Sequence, residues 1–390
     1  MTRPKKAGEK GLKTEELMRA YFLHAGFFVV RGVPFQANGD DLTDIDLWVY
    51  ERSATLSRRR TVIDIKDKKK GSQPAERLFF VKGLSECLGV EGAGVVTTDS
   101  RPGLRAIALK HHVTWIDGND LKRLKSSDTI LFPGRLSDED LGSEISIADS
   151  ARGSKFFQEG LFAIKSSIAN RFGPACANSA LESGGTFAHE AIKTHPNTPS
   201  AIVAGRLTYF ASAIAAVALD FTSVDTALRP ASEREKYFTD VIRYGSAIEE
   251  TKERLLWAEM AVREYLPNGP SLAQTIKGRF EAETQAVPAE GLAGVVSQMS
   301  KHDSLFLAAK QLEMAAYSVK LPTFDQLPTE GKSFLGAVLD FVDADREKFA
   351  KSWNPVSGSD LAVSSVVRDK KKDESPNSEN SKLEFKDTLL

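Results

Sequence analysis

Every strand-like segment of this 390-residue chain falls within its first 125 residues, and that confinement limits the architecture more than any other feature. FFVVRGV (27–33), DIDLWVY (44–50), TVIDIK (61–66), GVVTT (94–98) and VTWI (113–116) are rich in β-branched and aromatic residues and are bounded by turn-like or charged stretches. Helical periodicity fills the intervals. Leu17, Met18, Tyr21, Phe22 and Ala25 recur at spacings of three and four behind a Thr14 cap and stop at Gly26, and further helices are expected over 74–88, over 104–112 and after Asp117. The order α-β-β-β-α-β-α-β-α is that of an α/β domain over 1–125, opening with a three-strand meander. Beyond Ser126 helical patterns take over, at 153–171, 199–221, 231–265, 270–285, 303–319 and 329–350, with Pro-containing breaks between several of them. The sequence therefore predicts an all-α domain over 126–365 with no fixed repeat. Residues 366–390, charged and polar with little apolar periodicity, read as a disordered tail.

The net charge of −1 conceals an asymmetry. Residues 1–125 hold 23 Lys and Arg against 16 Asp and Glu, whereas the remainder holds 29 against 37, so the basic end is where a polyanion would bind. The longest apolar run, Leu207 to Leu219, has 13 positions, short of the roughly 20 needed to cross a bilayer, and is read as a buried core helix rather than a membrane span. Two cysteines, Cys87 and Cys176, are too few for a disulfide framework, and the N-terminal residues lack the apolar stretch of a secretory signal. A cytoplasmic protein is expected.

Period-two geometry on DIDLWVY places Asp44, Asp46, Trp48 and Tyr50 on one face and Ile45, Leu47 and Val49 on the other. On TVIDIK it groups Asp64 and Lys66 with Val62. If residues 51–60 turn the chain back as a hairpin, Asp46 and Asp64 come opposite each other, since both lie nine positions from Thr55. Two carboxylates on adjacent strands form an oxygen-rich site for a hard divalent cation, Mg²⁺ or Mn²⁺. Such an ion polarises a phosphodiester and acidifies a bound water, while Lys66 orients that water or stabilises developing negative charge, which is the chemistry of phosphodiester hydrolysis.

Asp46 followed by Asp64-Ile65-Lys66 after a meander resembles the D…(D/E)xK signature of the PD-(D/E)xK nuclease superfamily. The basic stretch KDKKK, the helix that follows, the small-residue strand GAGVVTT and RAIALKHHVTWIDGNDL are similar to Mrr-type restriction endonucleases and Holliday-junction-resolvase-like members, so the resemblance covers about residues 11–125. It implies a restriction-endonuclease-like fold, a mixed central sheet flanked by helices, and Asp46 and Asp64 as metal ligands with Lys66 catalytic. It also implies an assisting glutamate on the preceding helix, a position matched by Glu15 with Glu16 as its neighbour. The proline usual before the first aspartate is absent, and Asp64 stands where glutamate is commoner.

Basic residues at both hairpin ends, Arg58, Arg59 and Arg60 on one side and Lys68, Lys69 and Lys70 on the other, are the expected phosphate contacts, and no base-reading motif accompanies them. His189-Glu190 begins like a zinc-protease motif, but Lys193 stands where its second histidine belongs, and Gly331-Lys332-Ser333 lacks the first glycine of a phosphate loop. The helix over 231–265 is expected to bury its apolar face within its own bundle. The expectation is thus a Mg²⁺-dependent DNA endonuclease, by analogy one of restriction or phage defence, acting on double-stranded DNA. The helical domain would regulate it or assemble it with a second copy or a partner protein. A repair or junction-resolving nuclease, or a non-catalytic binding protein working through its helical domain, are the alternatives.

Overall fold

A computed structural model of the protein describes residues 9–37, 39–66, 74–126, 131–245 and 248–354. The expected meander forms with longer strands: β1 (Phe28–Ala37), β2 (Asp40–Ala54) and β3 (Ser57–Lys66) pair antiparallel in sequence order. β4 (Gly92–Thr97) and β5 (Val113–Ile116) then add in parallel, giving a five-stranded mixed sheet in the order β1-β2-β3-β4-β5. Helix α1 (Glu9–His24) precedes the sheet, α2 (Pro74–Leu88) and α3 (Pro102–Lys110) connect the parallel strands, and α4 (Gly118–Lys125) follows β5. α1 begins at Glu9, so Thr14 lies buried inside it rather than capping it. Asp117 does cap α4, its carboxylate accepting from the amides of Asn119 and Asp120.

The alternation read from the sequence divides the core as expected except at Ile45, which packs in the cluster of Trp48 and Tyr50 rather than with Leu47 and Val49. Leu47, Val49, Ile63 and Ile65 pack with Met18 and Phe22 of α1 and Leu121 of α4, while Trp48, Tyr50 and Val62 lie in the other cluster with Leu78 and Val81 of α2. That second cluster does not stop at the sheet. Trp48 meets Phe172 at 4.7 Å between ring centroids and Tyr50 meets Phe306 at 5.6 Å, so the helical part of the chain covers this face directly.

Beyond residue 126 the described elements are helical: α5 (Asp138–Arg152), α6 (Phe156–Arg171), α7 (Pro174–Lys193), α8 (Pro199–Thr222), α9 (Ala231–Tyr244), α10 (Ile248–Tyr265), α11 (Gly269–Gln285), α12 (Ala289–Met299), α13 (Ser304–Ala316), α14 (Thr329–Phe341) and α15 (Arg346–Ala350). The apolar run becomes the centre of the bundle, with every residue of α8 from Ala201 to Asp220 buried. Its one guanidinium is fully used: Arg206 donates to Glu144 at 2.7 Å and to the carbonyls of Ala316 and Ser318 at 2.9 and 2.6 Å.

Three helices, α5, α7 and α12, were not expected from the pattern. In α7 the pair Gly184-Gly185 argues against a helix by propensity, yet a Cβ at Gly185 would sit 2.9 Å from Val342, so close packing accounts for the glycine. The single helix expected over 231–265 is broken at Gly245, which adopts φ +65° and caps α9. The expectation of burial holds for α9, through Phe238, Val241 and Ile242, and fails for α10. From Thr251 to Glu283 the only buried residues are Gly269 and Ala273. The tail expected over 366–390 lies outside the described residues.

Candidate active site

The pairing of β2 with β3 runs from the hairpin tip to Leu47 opposite Ile63 and ends there. Below that point β2 continues against β1 alone, to Asp40 opposite Ala37, and β3 continues against β4 alone, to Lys66 opposite Thr97. The two strands therefore part like a fork. The register centres on Thr55, and extending it by one step sets Asp46 across from Asp64, at the crotch where pairing stops. Two carboxylates face to face inside a sheet repel each other, which accounts for the parting at this position. The fork opens where β3 and β4 end, the end of a parallel pair at which α/β sheets place their sites.

Asp46 stays attached to β3 through its side chain: the Ile65 amide donates to Asp46 Oδ2 at 2.6 Å, so the carboxylate takes over a backbone group that the departing β2 does not reach. Burial, chiefly, pushes the Asp46 carboxyl up to about 6; the Ile65 hydrogen bond and Lys66 oppose this, and the charges of Asp64 and Glu15 add to it. Asp64 is more deeply placed, its side chain 6% exposed. It is held by Arg77 of α2, which donates from Nε at 2.8 Å and from Nη2 to the other oxygen, and whose guanidinium lies 4.3 Å above the Phe80 ring. Lys66 Nζ stands 3.9 Å from Asp64 Oδ1 with its side chain 35% exposed, between the buried acid and solvent.

Glu15 arrives from α1. Arg31 of β1 donates to Glu15 at 2.9 Å and holds Glu139 of α5 with two further bonds of 3.0 and 2.7 Å. Of the neighbouring glutamates Glu15 and Glu16, Glu15 is the one whose charge raises Asp46, whereas Glu16 lies 3.6 Å from Arg19 and 3.5 Å from Arg31. The four residues singled out in the sequence, Glu15, Asp46, Asp64 and Lys66, thus come to one place. Arg77 was missed. Its signal was faint but present: at spacings of four and seven from Val81 and Leu84 it is a cation on the buried face of α2.

The basic residues fare differently. Arg58 turns inward, its side chain 2% exposed, and donates to Asp220 of α8 at 2.8 Å. Arg52 and the Tyr50 hydroxyl donate to the same carboxylate, each at 2.5 Å, so this cluster pins the hairpin to the bundle. Arg60 pairs with Glu91 at 2.6 Å and stacks over Phe221, and of the three arginines only Arg59 is exposed. Lys68, Lys69 and Lys70 lie outside the described residues.

Among the described residues no three histidine, cysteine or carboxylate side chains are grouped as a metal cage would require. Two carboxylates at the crotch remain, one of them, Asp46, with its carboxyl raised above its ordinary range chiefly by burial. This donor chemistry fits a hard divalent ion that takes two protein oxygens and otherwise keeps its water. Comparison of the chain with protein-family models, with curated proteins and with solved structures gives no match.

Proposed function

We propose that the chain is a metal-dependent nuclease that hydrolyses phosphodiester bonds in DNA, with the restriction-endonuclease-like arrangement implied by the D…DxK resemblance. The observation that carries this reading is the fork itself: Asp46, with its carboxyl pushed up to about 6, and buried Asp64 stand at the crotch, with Lys66 at its mouth. A buried carboxyl raised well above its ordinary value, beside a second buried acid at a strand-end cleft, supports the reading of this cleft as a working site. Asp46 and Asp64 would hold Mg²⁺ or Mn²⁺, which supplies charge neutralisation at the phosphate and a more acidic water. Lys66 reaches solvent and would orient the attacking water or donate to a phosphate oxygen, and Glu15, fixed by Arg31, would add negative potential beside Asp46. Duplex DNA, reached through backbone contacts, is the proposed partner, and a role in restriction or phage defence is the proposed setting.

The test is cleavage of supercoiled plasmid, linear duplex, four-way junction and structured RNA with Mg²⁺ or Mn²⁺, comparing wild type with Asp64→Asn and Lys66→Ala. Loss of at least about a hundredfold in both variants, with unchanged circular dichroism, is expected for residues acting in the chemical step. Equal rates in all three proteins would sink the assignment. Preference for the junction over linear duplex would move the protein from restriction to repair.

A further inference from the structure

Helices α10 and α11 form a hairpin that covers itself with almost nothing. Leu256, Trp257 and Met260 on α10 are 56%, 65% and 49% exposed, and Leu272 and Ile276 on α11 are 39% and 44% exposed. Between the two helices runs an open groove of about 410 Å³ with Leu255, Leu256, Val262 and Ile276 in its walls. A pair of helices with so little buried surface has little tertiary packing to hold it, and helices of this length are marginal alone. Apolar residues concentrated in this way mark an association surface.

The charges on the groove indicate what covers it. Lys252 and Glu259 both line it, on α10, and they lie symmetrically about Leu255 and Leu256, with Glu259 also held by Arg263 one turn on at 2.6 Å, which leaves its other oxygen for a second partner. Seven residues apart, they stand about 10 Å from each other along one face. A second α10 running antiparallel and crossing at Leu255 and Leu256 sets Lys252 of each copy against Glu259 of the other, with the leucines between them. Lys277 and Glu281 put both signs on the α11 lip as well. The hairpin as a whole, 248–285, carries five Lys and Arg against seven Asp and Glu, so neither a polyanion nor an anionic membrane finds a matching field there. A two-fold interface requires a self-complementary patch, and this groove is one.

We infer that the α10–α11 hairpin is a homodimerisation element that packs against the same hairpin of a second copy as an antiparallel four-helix assembly. At about 1.5 Å per residue α10 is about 27 Å long, and two hairpins meeting face to face bury on the order of 1,000 Å², the lower bound for a specific interface, so the dimer is concentration-dependent. Dimerisation rests on the hairpin alone, independently of the nuclease reading.

Light scattering on the full chain after gel filtration tests it. The wild-type mass should rise from 42.6 kDa toward about 85 kDa as concentration increases over roughly 1–100 µM. Lys252→Glu opposes two carboxylates where a pair of opposite charges stood, twice per dimer, and should weaken association by about tenfold or more. The double variant Lys252→Glu/Glu259→Lys should restore it, because the pairs reform with reversed sign. Lys252 is exposed on an open groove, so Lys252→Glu should leave helicity unchanged in circular dichroism, and Glu259→Lys alone, which gives up the pair with Arg263, is the control for the double variant. Wild type that stays at 42.6 kDa throughout overturns the inference and assigns the groove to another partner. A double variant as monomeric as the single one, with helicity intact, overturns the antiparallel register on which the inference rests.

Discussion

Replacing Asp46 by Asn should make the protein more stable at neutral pH while abolishing the proposed nuclease activity. The Asp46 carboxyl is displaced upward from its ordinary 3.8 to about 6, mainly by burial, with the charges of Asp64 and Glu15 adding to it. A carboxyl whose folded-state pKa is raised is a liability wherever it is ionised in the folded state: stability falls as pH rises from about 4 to about 6 and stays lowered above that. At 1.36 kcal/mol per pH unit the full cost is about 3 kcal/mol, and partial exposure of the site reduces it to about 2 kcal/mol. Asn removes the charge and keeps an oxygen that can accept from the Ile65 amide, now at 2.6 Å from Asp46 Oδ2. In a chain of this size about 2 kcal/mol is a rise of about 3 °C in Tm. Thermal unfolding followed by circular dichroism at pH 7.5 and pH 4 measures it. The advantage of Asp46→Asn should be present at pH 7.5 and close toward zero at pH 4, where Asp46 is already protonated. Added Mn²⁺ should raise the Tm of wild type and leave the variant unmoved. A variant less stable than wild type at pH 7.5, or equally advantaged at both pH values, would refute the claim that burial in the fork penalises the charged form of Asp46.

Arg77→Gln should destabilise the protein by about 1–3 kcal/mol, since Asp64 is buried and loses its bidentate partner; Mn²⁺ should then recover more stability in this variant than in wild type, as read by the shift in Tm. Asp220→Asn should cost about 3–5 kcal/mol, because Arg52 and Arg58 are left buried without a counter-charge; denaturant unfolding that shows less than about 1 kcal/mol would contradict the pinning of the hairpin to α8.

The α/β order, the hairpin centre at Thr55 and the convergence of Asp46, Asp64 and Lys66 were legible in the sequence because each rests on a local rule, whereas Glu15 was reached only through the resemblance. Period two puts alternate residues on one face, a tight turn fixes register, and a helix preceding the meander has one side to pack on. What escaped was long-range or paradoxical. Arg58 looks like a phosphate contact until Asp220, 162 residues later, appears at its guanidinium. Helix α7 escaped because Gly185 obeys packing rather than propensity, and the 231–265 pattern ran through Gly245 because apolar spacing resumes on the far side. The exposure of α10 is the converse case: its apolar residues keep helical spacing whether another part of the chain or another molecule covers them.

The change of pattern at residue 125 marks a change of secondary structure and not a break in the energetics. Trp48 and Tyr50, on the face of β2 that also carries Asp46, are roofed by Phe172 and Phe306 of the helical part. Arg31, which fixes Glu15, spends two of its donors on Glu139 of α5, and its own carbonyl accepts from Lys165 of α6 at 2.7 Å. Arg19 of α1 is buried between Asp138 at 2.8 Å and Glu313 at 2.9 Å, both contributed by the bundle. A guanidinium in such a place is tolerable only while its carboxylates are present. The helices therefore hold α1 and β1 at fixed positions relative to the fork: Glu15 is tied to α5 through Arg31, and the helix that carries it is tied to α5 and α13 through Arg19.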